Sequence, residues 1–347
     1  MESGWRRLNT HSDIVVIGAG VAGLAAAIAA RKAGLTVSVV EREPNPPDRP
    51  GETLHPGAGP VFDRLGLLAD LERLATSRPL GIEVSGPNGS RLPFGGPVDA
   101  PWAGYQIDRR SLSKVMVENA QDLGVEFLFG EAVRSLDCAK DHVFVGLPSR
   151  TISASWCCDA TGFSNLSHRK VSGRMQSLGP QMTVRYRYVA DGAVCADWPR
   201  ITLRPDGWRW QAQLTLSRFA EVELIQGRGF ETARNDATWA YADGTWRVSA
   251  CPADQRVFRI GDAGGRLDPA AGKGMLRAAM SAMMAVHLIH AVLQRSIGAD
   301  KARTFYSRWF RDWVVQDCRE LAPLVLKQRG WPIVGQRPRP DAVYPIR

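Results

Sequence analysis

The sequence predicts an α/β protein in which a nucleotide-binding strand–helix–strand unit opens the chain and an antiparallel sheet interrupts the remainder. Three observations carry this. Residues 13–17 (DIVVI) form a continuous apolar run suited to a buried parallel strand. GAGVAG at 18–23 and an Ala-rich segment closed by Gly34 come next, and TVSVV at 36–40 gives a second strand ending in Glu41-Arg42. The whole is about thirty residues long, the size a βαβ unit requires. Much later, apolar and polar residues alternate in QMTVRYRYV (181–189), and strand-like runs recur at 200–204, 208–216 and 219–225. That is the pattern of an antiparallel sheet.

The elements between these are set by local chemistry. EPNPPDRPGETLHPGAGP (43–60) is too rich in Pro and Gly for regular structure and reads as a long functional excursion. A helix is predicted over 61–75, apolar at Phe62, Leu65, Leu68 and Leu71, then a hairpin over 80–98 turning at 87–89 (Pro-Asn-Gly). An amphipathic helix over 107–123 precedes strands near 125–129, 132–137, 142–147 and 150–158. After RVFRIGD come a long helix from about 274 to 295, another from 300 to 320, and a Pro-rich tail. Residues 11–79, 104–170 and 251–325 are therefore expected to build a discontinuous nucleotide-binding domain. Residues 80–103 and 171–250 form an inserted substrate domain, and 326–347 a C-terminal tail.

Composition narrows the function. The 44 basic and 35 acidic residues give a net charge of +9, but the arginines are scattered and no Lys/Arg block marks a nucleic-acid surface. The cysteines at 138, 157, 158, 195, 251 and 318 have no metal-ligand spacing, so no metal site is expected, and a reduced cytoplasmic protein is the simplest reading. No signal-peptide pattern and no uninterrupted apolar stretch of about 18 residues is found, so no membrane span is expected.

GAGVAG stands after a strand and before a helix. Gly18 permits the tight turn, Gly20 lets backbone approach a pyrophosphate, and Gly23 lets helix and strand pack closely. The helix start then offers N–H groups and a positive dipole end to phosphates. Glu41, eighteen residues past Gly23, can accept ribose hydroxyls and argues against a 2′-phosphate. NAD and FAD both satisfy this motif.

A second glycine-rich stretch, RIGDAGGRLDPAAGKGML (259–276), resolves that choice. Strand 257–260 delivers Gly261-Asp262, followed by Asp268-Pro269 and by Gly272-Lys273-Gly274 at the start of the long helix. A carboxylate at a strand end suits a polyol, and a glycine-bounded helix start suits a delocalised anion. FAD has both a ribityl chain and such a ring; NAD has neither.

At these motifs the sequence resembles the FAD-dependent oxidoreductases of the p-hydroxybenzoate hydroxylase type, which include aromatic hydroxylases, flavin halogenases and geranylgeranyl reductases. The resemblance covers most of residues 12–295. It implies a glutathione-reductase-like, FAD-binding Rossmann domain with an antiparallel-sheet substrate domain inserted. Gly18, Gly20, Ala22 and Gly23 with Glu41 and Arg42 match the family's dinucleotide fingerprint. Arg109, in QIDRRSL, matches an arginine at the start of a helix that approaches the flavin. Asp159 and Gly162, in CDATG, match the motif near the pyrophosphate, and Asp262 the residue that holds the ribityl chain. Gly272 and Gly274 would sit against the pyrimidine edge. Gly51 and Glu52, in GETLHP, match the Gly-Glu start of the halogenase-like branch, and Val133 is assigned to the cofactor set as well.

The same resemblance bears on chemistry. Trp208-Arg209-Trp210 is similar to the halogenases' WxWxIP without its Ile-Pro half. Halogenases also carry a lysine after the Gly-Glu start, and none lies between Glu52 and Arg110. The GExLxP-like start, the DATG form and the DPxxGxG helix start are closer to flavoproteins that mature tryptophan-derived quinone cofactors. The resemblance thus implies a monooxygenase hydroxylating an electron-rich aromatic ring. Its substrate would be an aromatic small molecule or a tryptophan-bearing protein, with an external flavin electron donor. A reductase or dehydrogenase of a small apolar molecule, a flavin halogenase and a flavin-binding protein without turnover are the other readings. Around the ring, His55 is a candidate acid, base or substrate contact, Pro269 a candidate neighbour of the reactive centre, and Trp208, Trp210, Arg185 and Arg187 candidate cavity walls.

Overall fold

The structure, a computed structural model, describes residues 11–45, 52–85, 89–171, 173–190, 196–215, 217–227 and 238–326. Its helices are α1 Val21–Lys32, α2 Ala58–Leu65, α3 Leu68–Leu74, α4 Arg109–Asp122, α5 Leu166–Lys170, α6 Gly274–Leu293 and α7 Ala299–Leu326.

Strand His11–Ile17 lies between Val37–Glu41 and Thr151–Asp159, parallel to both. Glu126–Phe129 extends the sheet beyond Val37–Glu41, and Val257–Arg259 extends it beyond Thr151–Asp159, again in parallel. The central strand buries Ile14, Val15, Val16 and Ile17 on both faces, which explains its unbroken apolar run. One face packs α1, α4, α6 and α7 into the main core. The other packs the hairpin Ser135–Cys138/Val143–Gly146 into a smaller one. Helix α1 is buried nearly all round, with Leu24, Ala25, Ala26, Ala27 and Ile28 inaccessible, because α6 covers the side that the sheet does not.

A seven-stranded sheet runs in the order Ala240–Asp243, Met182–Val189, Arg218–Gln226, Gly207–Thr215, Arg200–Arg204, Gly81–Ser85, Ser90–Pro93. It draws strands from 81–93 and 182–243 and has its own core around Trp208 and Trp210. Arg200–Arg204 and Gly81–Ser85 pair in parallel, so the sheet is mixed at that one junction and antiparallel elsewhere.

Two local expectations are corrected. The single helix over 61–75 is two, α2 and α3, because Gly66 ends α2 with a left-handed φ of 79°. The excursion over 43–60 is not wholly irregular: Glu52–Leu54 pairs with Tyr105–Ile107, and α2 begins at Ala58. Helix α6 is long and apolar enough, by length and composition, to cross a membrane. Here it packs against α1, α2 and α7, and its Arg277 is buried in an ion pair with Asp317 on α7. It serves as a core helix in this fold.

Candidate functional site

The carboxyl ends of three parallel strands meet at one edge of the sheet. Ala160 N donates to Ile17 O at 2.9 Å and Ile260 N to Asp159 O at 3.0 Å, while Gly18 N donates to Val40 O at 2.8 Å. Gly18, the Asp159–Gly162 turn and Gly261-Asp262 are thereby neighbours, at the edge where open parallel sheets bind ligands.

Gly18 has a φ of 106°, and a methyl group on it would lie 2.6 Å from Ala160 O. A methyl on Gly23 would overlap the Gly18 carbonyl oxygen. Gly20 differs from both: it is exposed, and no atom lies within 4 Å of where its Cβ would be. Helix α1 has no side-chain cap and no acid in its first turn, so its leading N–H groups remain available to an anion. Helix α6 repeats the arrangement. Its N-cap Lys273 makes no capping bond, its first turn has no acid, and Gly274 is exposed with no atom within 4 Å of a Cβ. Gly261 links the two: a methyl there would lie 2.8 Å from Ala22 Cβ on α1 and 3.6 Å from Ala278 Cβ on α6. Two uncapped helix starts therefore flank one short turn, and an elongated ligand with a diphosphate at one end and an electron-poor ring at the other fits them.

The carboxylates fit the same ligand. Glu41 is half-buried at the rim of the first turn, accepting from Ala19 N at 2.7 Å and Glu43 N at 3.0 Å. Glu131 N donates to Glu41 O at 3.0 Å, which brings the segment containing half-buried Val133 beside this strand end. Asp262 is half-buried in the turn Gly261–Ala263, and no hydrogen bond engages its carboxylate among the described residues. Asp159 behaves differently. It is fully buried and accepts from Thr161 N at 2.9 Å, Thr161 Oγ1 at 2.6 Å and Ser167 N at 2.9 Å. It shapes the turn, leaving the backbone from Ala160 to Gly162 to face a ligand. Gly162 has a φ of 58° with open space at its Cβ position.

Other candidates are placed less centrally. Arg42 is 67% exposed and pairs with Glu43. Half-buried Arg109 opens α4, whose N-cap Asp108 accepts from Ser111 N at 3.0 Å. Gly51 lies outside the described residues, and of Glu52 only the backbone is described. Glu52 pairs with Ile107, so the Gly-Glu segment is tied to the strand that leads into Arg109. Gly272 closes the turn Pro269–Ala271 beside Thr53, with a φ of 62°.

His55 is half-buried near the start of α6, with its ring edge-on to Phe94 at 5.8 Å. Its Nδ1 accepts from Gly57 N at 3.0 Å, so in the neutral ring the proton sits on Nε2. Burial, and secondarily the Lys273 ammonium, hold its pKa below the usual imidazole value. His55 is thus a neutral hydrogen-bond donor at physiological pH. Pro269 is exposed at the first position of its turn.

The residue that spacing alone leaves without a role is Asp268. It is 3% exposed. Its Oδ1 accepts from Ala270 N at 2.9 Å and its Oδ2 from Trp208 Nε1 at 3.2 Å, and burial pushes its carboxyl up to about 6. Asp followed by Pro at the start of a turn, one to cap and one to fill the first position, is the signal that points to it.

The four proposed wall residues do not come together. Trp208 and Trp210 share the inner face of the sheet with Tyr186 and Tyr188, and Ala270 packs against that cluster. Arg185 and Arg187 alternate with the tyrosines and occupy the other face. There Arg185 Nη2 pairs with Glu223 at 2.6 Å and Arg187 Nη2 with Glu221 at 2.7 Å, both guanidinium groups lying over Trp239. Only the tryptophans face the nucleotide-binding layer.

Residues 13–46 match the FAD binding domain family. A tryptophan 2-halogenase from Chondromyces crocatus is 23% identical over 88% of this chain and 66% of its own length. Among solved structures, the myxobacterial chondrochloren halogenase CndH superposes with a TM-score of 0.79 at 18% identity, covering 90% of this chain and 82% of that one. The p-nitrophenol 4-monooxygenase PnpA of Pseudomonas putida DLL-E4 gives a TM-score of 0.76 at 18% identity, covering 90% and 88%. The chain spans less than two thirds of the length of the curated relatives it matches first.

The match over residues 13–46, which holds the glycine turn and the uncapped start of α1, gives FAD as the cofactor. The chain has the fold shared by a flavin-dependent halogenase and an aromatic monooxygenase.

Proposed function

We propose that the protein is an FAD-dependent monooxygenase that hydroxylates an electron-rich aromatic ring, on a small molecule or on a tryptophan-bearing protein, using an external flavin electron donor. The observation that carries this reading is the packing of an aromatic sheet face, Trp208, Trp210, Tyr186 and Tyr188, against Ala270 in the turn that leads into α6. Residues 11–79, 104–170 and 251–325 would form the FAD domain in this reading, and 80–103 with 171–250 the substrate domain. The five described cysteines, all unbonded, fit a reducing, cytoplasmic compartment.

When bound and reduced, FAD supplies two electrons and activates dioxygen, so that one oxygen atom enters an aromatic ring and the other leaves as water. The N–H groups at the start of α1 would hold the diphosphate and those at the start of α6 the ring's pyrimidine edge. Glu41 and Asp262 would accept from ribose and ribityl hydroxyls. The tryptophans exclude water and offer flat apolar surface to an aromatic substrate. His55, committed at Nδ1, would hold an oxygen atom through Nε2–H and not remove a proton.

Halogenation is a second reading, supported by the match to the tryptophan 2-halogenase. The lack of a lysine between Glu52 and Arg110 favours hydroxylation. FAD-loaded protein, a reductant, bromide and either tryptophan or tryptophan-bearing peptides under isotopically labelled dioxygen would decide. One labelled oxygen in the product supports the proposal and a brominated product replaces it with halogenation. Substrate consumed with neither means a reductase and overturns it.

A further inference from the structure

Asp268 lies between the two elements that the proposed reaction must keep in register, and it is bonded to both. Through Oδ1 it caps the turn Pro269–Ala271 at 2.9 Å, and through Oδ2 it receives the Trp208 indole N–H at 3.2 Å from strand Gly207–Thr215. Trp208 is 2% exposed, so this bond is out of water and either partner would be left unsatisfied without the other. The buried indole nitrogens of Trp156 and Trp246 have no hydrogen-bond partner among the described residues, whereas Trp208 is given a carboxylate.

The choice of carboxylate is informative. Burying an acid costs more than burying a neutral polar group, and Ser, Thr or Asn would cap the turn equally well. Here two N–H donors approaching from different elements each take a separate acceptor oxygen, Oδ1 from the turn and Oδ2 from the sheet. Asn and Ser offer a single oxygen, and Asp offers two.

We propose that Asp268 is a positioning residue of the active site. Its two oxygens tie the aromatic wall at Trp208 to the turn that carries Pro269 and leads into α6, fixing the separation between the substrate ring and the flavin. A side-chain bond between layers, and not the surrounding loops, holds that distance. The consequence for catalysis rests on the monooxygenase reading; the tie itself does not.

The tie is tested on the FAD-free full chain carrying nitrogen-15 tryptophan. The Trp208 indole N–H resonance, assigned by its loss in Trp208→Phe, should exchange with solvent at least about a hundredfold more slowly than an exposed indole. In Asp268→Asn, which keeps the turn cap and presents an NH2 to the indole, that protection should fall by about tenfold. Unchanged protection in Asp268→Asn would overturn the proposal, as would free exchange in the wild type. In FAD-loaded protein, Trp208→Phe and Asp268→Asn should bind FAD within about threefold of wild type. Each should waste more reduced flavin as hydrogen peroxide per product formed, and the double variant should be no worse than the worse single. Parallel losses of FAD affinity, or additive effects, would show a merely structural role and refute the proposal. Preserved protection with no oxygen transfer to any substrate would sink the monooxygenase reading and leave the tie standing.

Discussion

At the start of α1, Gly18 and Gly23 are demanded by the chain itself, one by its left-handed backbone beside Ala160 and the other by contact with Gly18. Gly20, between them, has no atom of the described residues within 4 Å of where its Cβ would be, and Gly274 at the start of α6 shares that property. A glycine surrounded by protein is kept for the fold, and one surrounded by empty space at an uncapped helix start is kept for a ligand. The two starts thus separate fold glycines from cofactor glycines, a distinction the motif letters alone do not make.

The largest effect should come from Gly23→Val. Its side chain has to displace the Gly18 carbonyl, and overpacking at so close a contact costs upward of about 3 kcal/mol. Circular dichroism melts should show a chain that is unfolded or melts far below wild type; a wild-type melt would remove the close-approach argument. Gly20→Val should instead melt within about 2 °C of wild type without FAD while weakening FAD binding about a hundredfold, near 3 kcal/mol. Gly274→Val should fold equally well and lose about tenfold in FAD affinity, because it crowds the ring edge and leaves the diphosphate alone. A destabilised FAD-free chain in either variant would break the comparison.

The acids beside the two starts sharpen it. Asp262→Ala removes acceptor bonds to a polyol, worth about 1.5–3 kcal/mol for charge-assisted pairs, and should lower FAD affinity about tenfold to a hundredfold in fluorescence titration. The FAD-free melt should shift only slightly, since no hydrogen bond among the described residues uses that carboxylate and its charge acts only on the nearby buried Arg266. Normal FAD retention would contradict the assignment of Asp262.

Much of this was legible in the sequence because the first βαβ unit is local. Apolar run, glycine turn and Glu41 lie within about thirty residues, where spacing alone sets geometry. The second helix start was legible for the same reason, through Gly261-Asp262 and Gly272-Lys273-Gly274. Contacts between distant segments were not. Gly261 touches both α1 and α6, a convergence that no local pattern encodes. The alternation of Arg185 and Arg187 with Tyr186 and Tyr188 revealed two faces, but which one meets the cofactor layer depends on how that sheet packs against Ala270. Asp268 needed Trp208, sixty positions away, before its second oxygen had a purpose.

The smallest expected effect lies in pH dependence and sets the turn before α6 against a distant site. Asp268, raised to about 6, binds its proton more tightly folded than unfolded. Its contribution to stability is full below the unfolded value near 4 and is lost as pH rises through 6, by at most about 3 kcal/mol. His168 is lowered to about 4, chiefly by burial and secondarily by Arg259, with its Nε2 bonded to Ser249 Oγ at 2.9 Å. Its contribution is full above the unfolded value near 6.5 and is lost as pH falls through 4. The two slopes oppose each other between pH 4 and 6, so the FAD-free melt of the wild type should vary little from these groups across that window. Asp268→Asn should expose the His168 slope, with melting temperature falling as the solution is acidified, and His168→Gln should expose the opposite one. If Asp268→Asn follows the wild-type curve throughout, the carboxyl titrates outside this window.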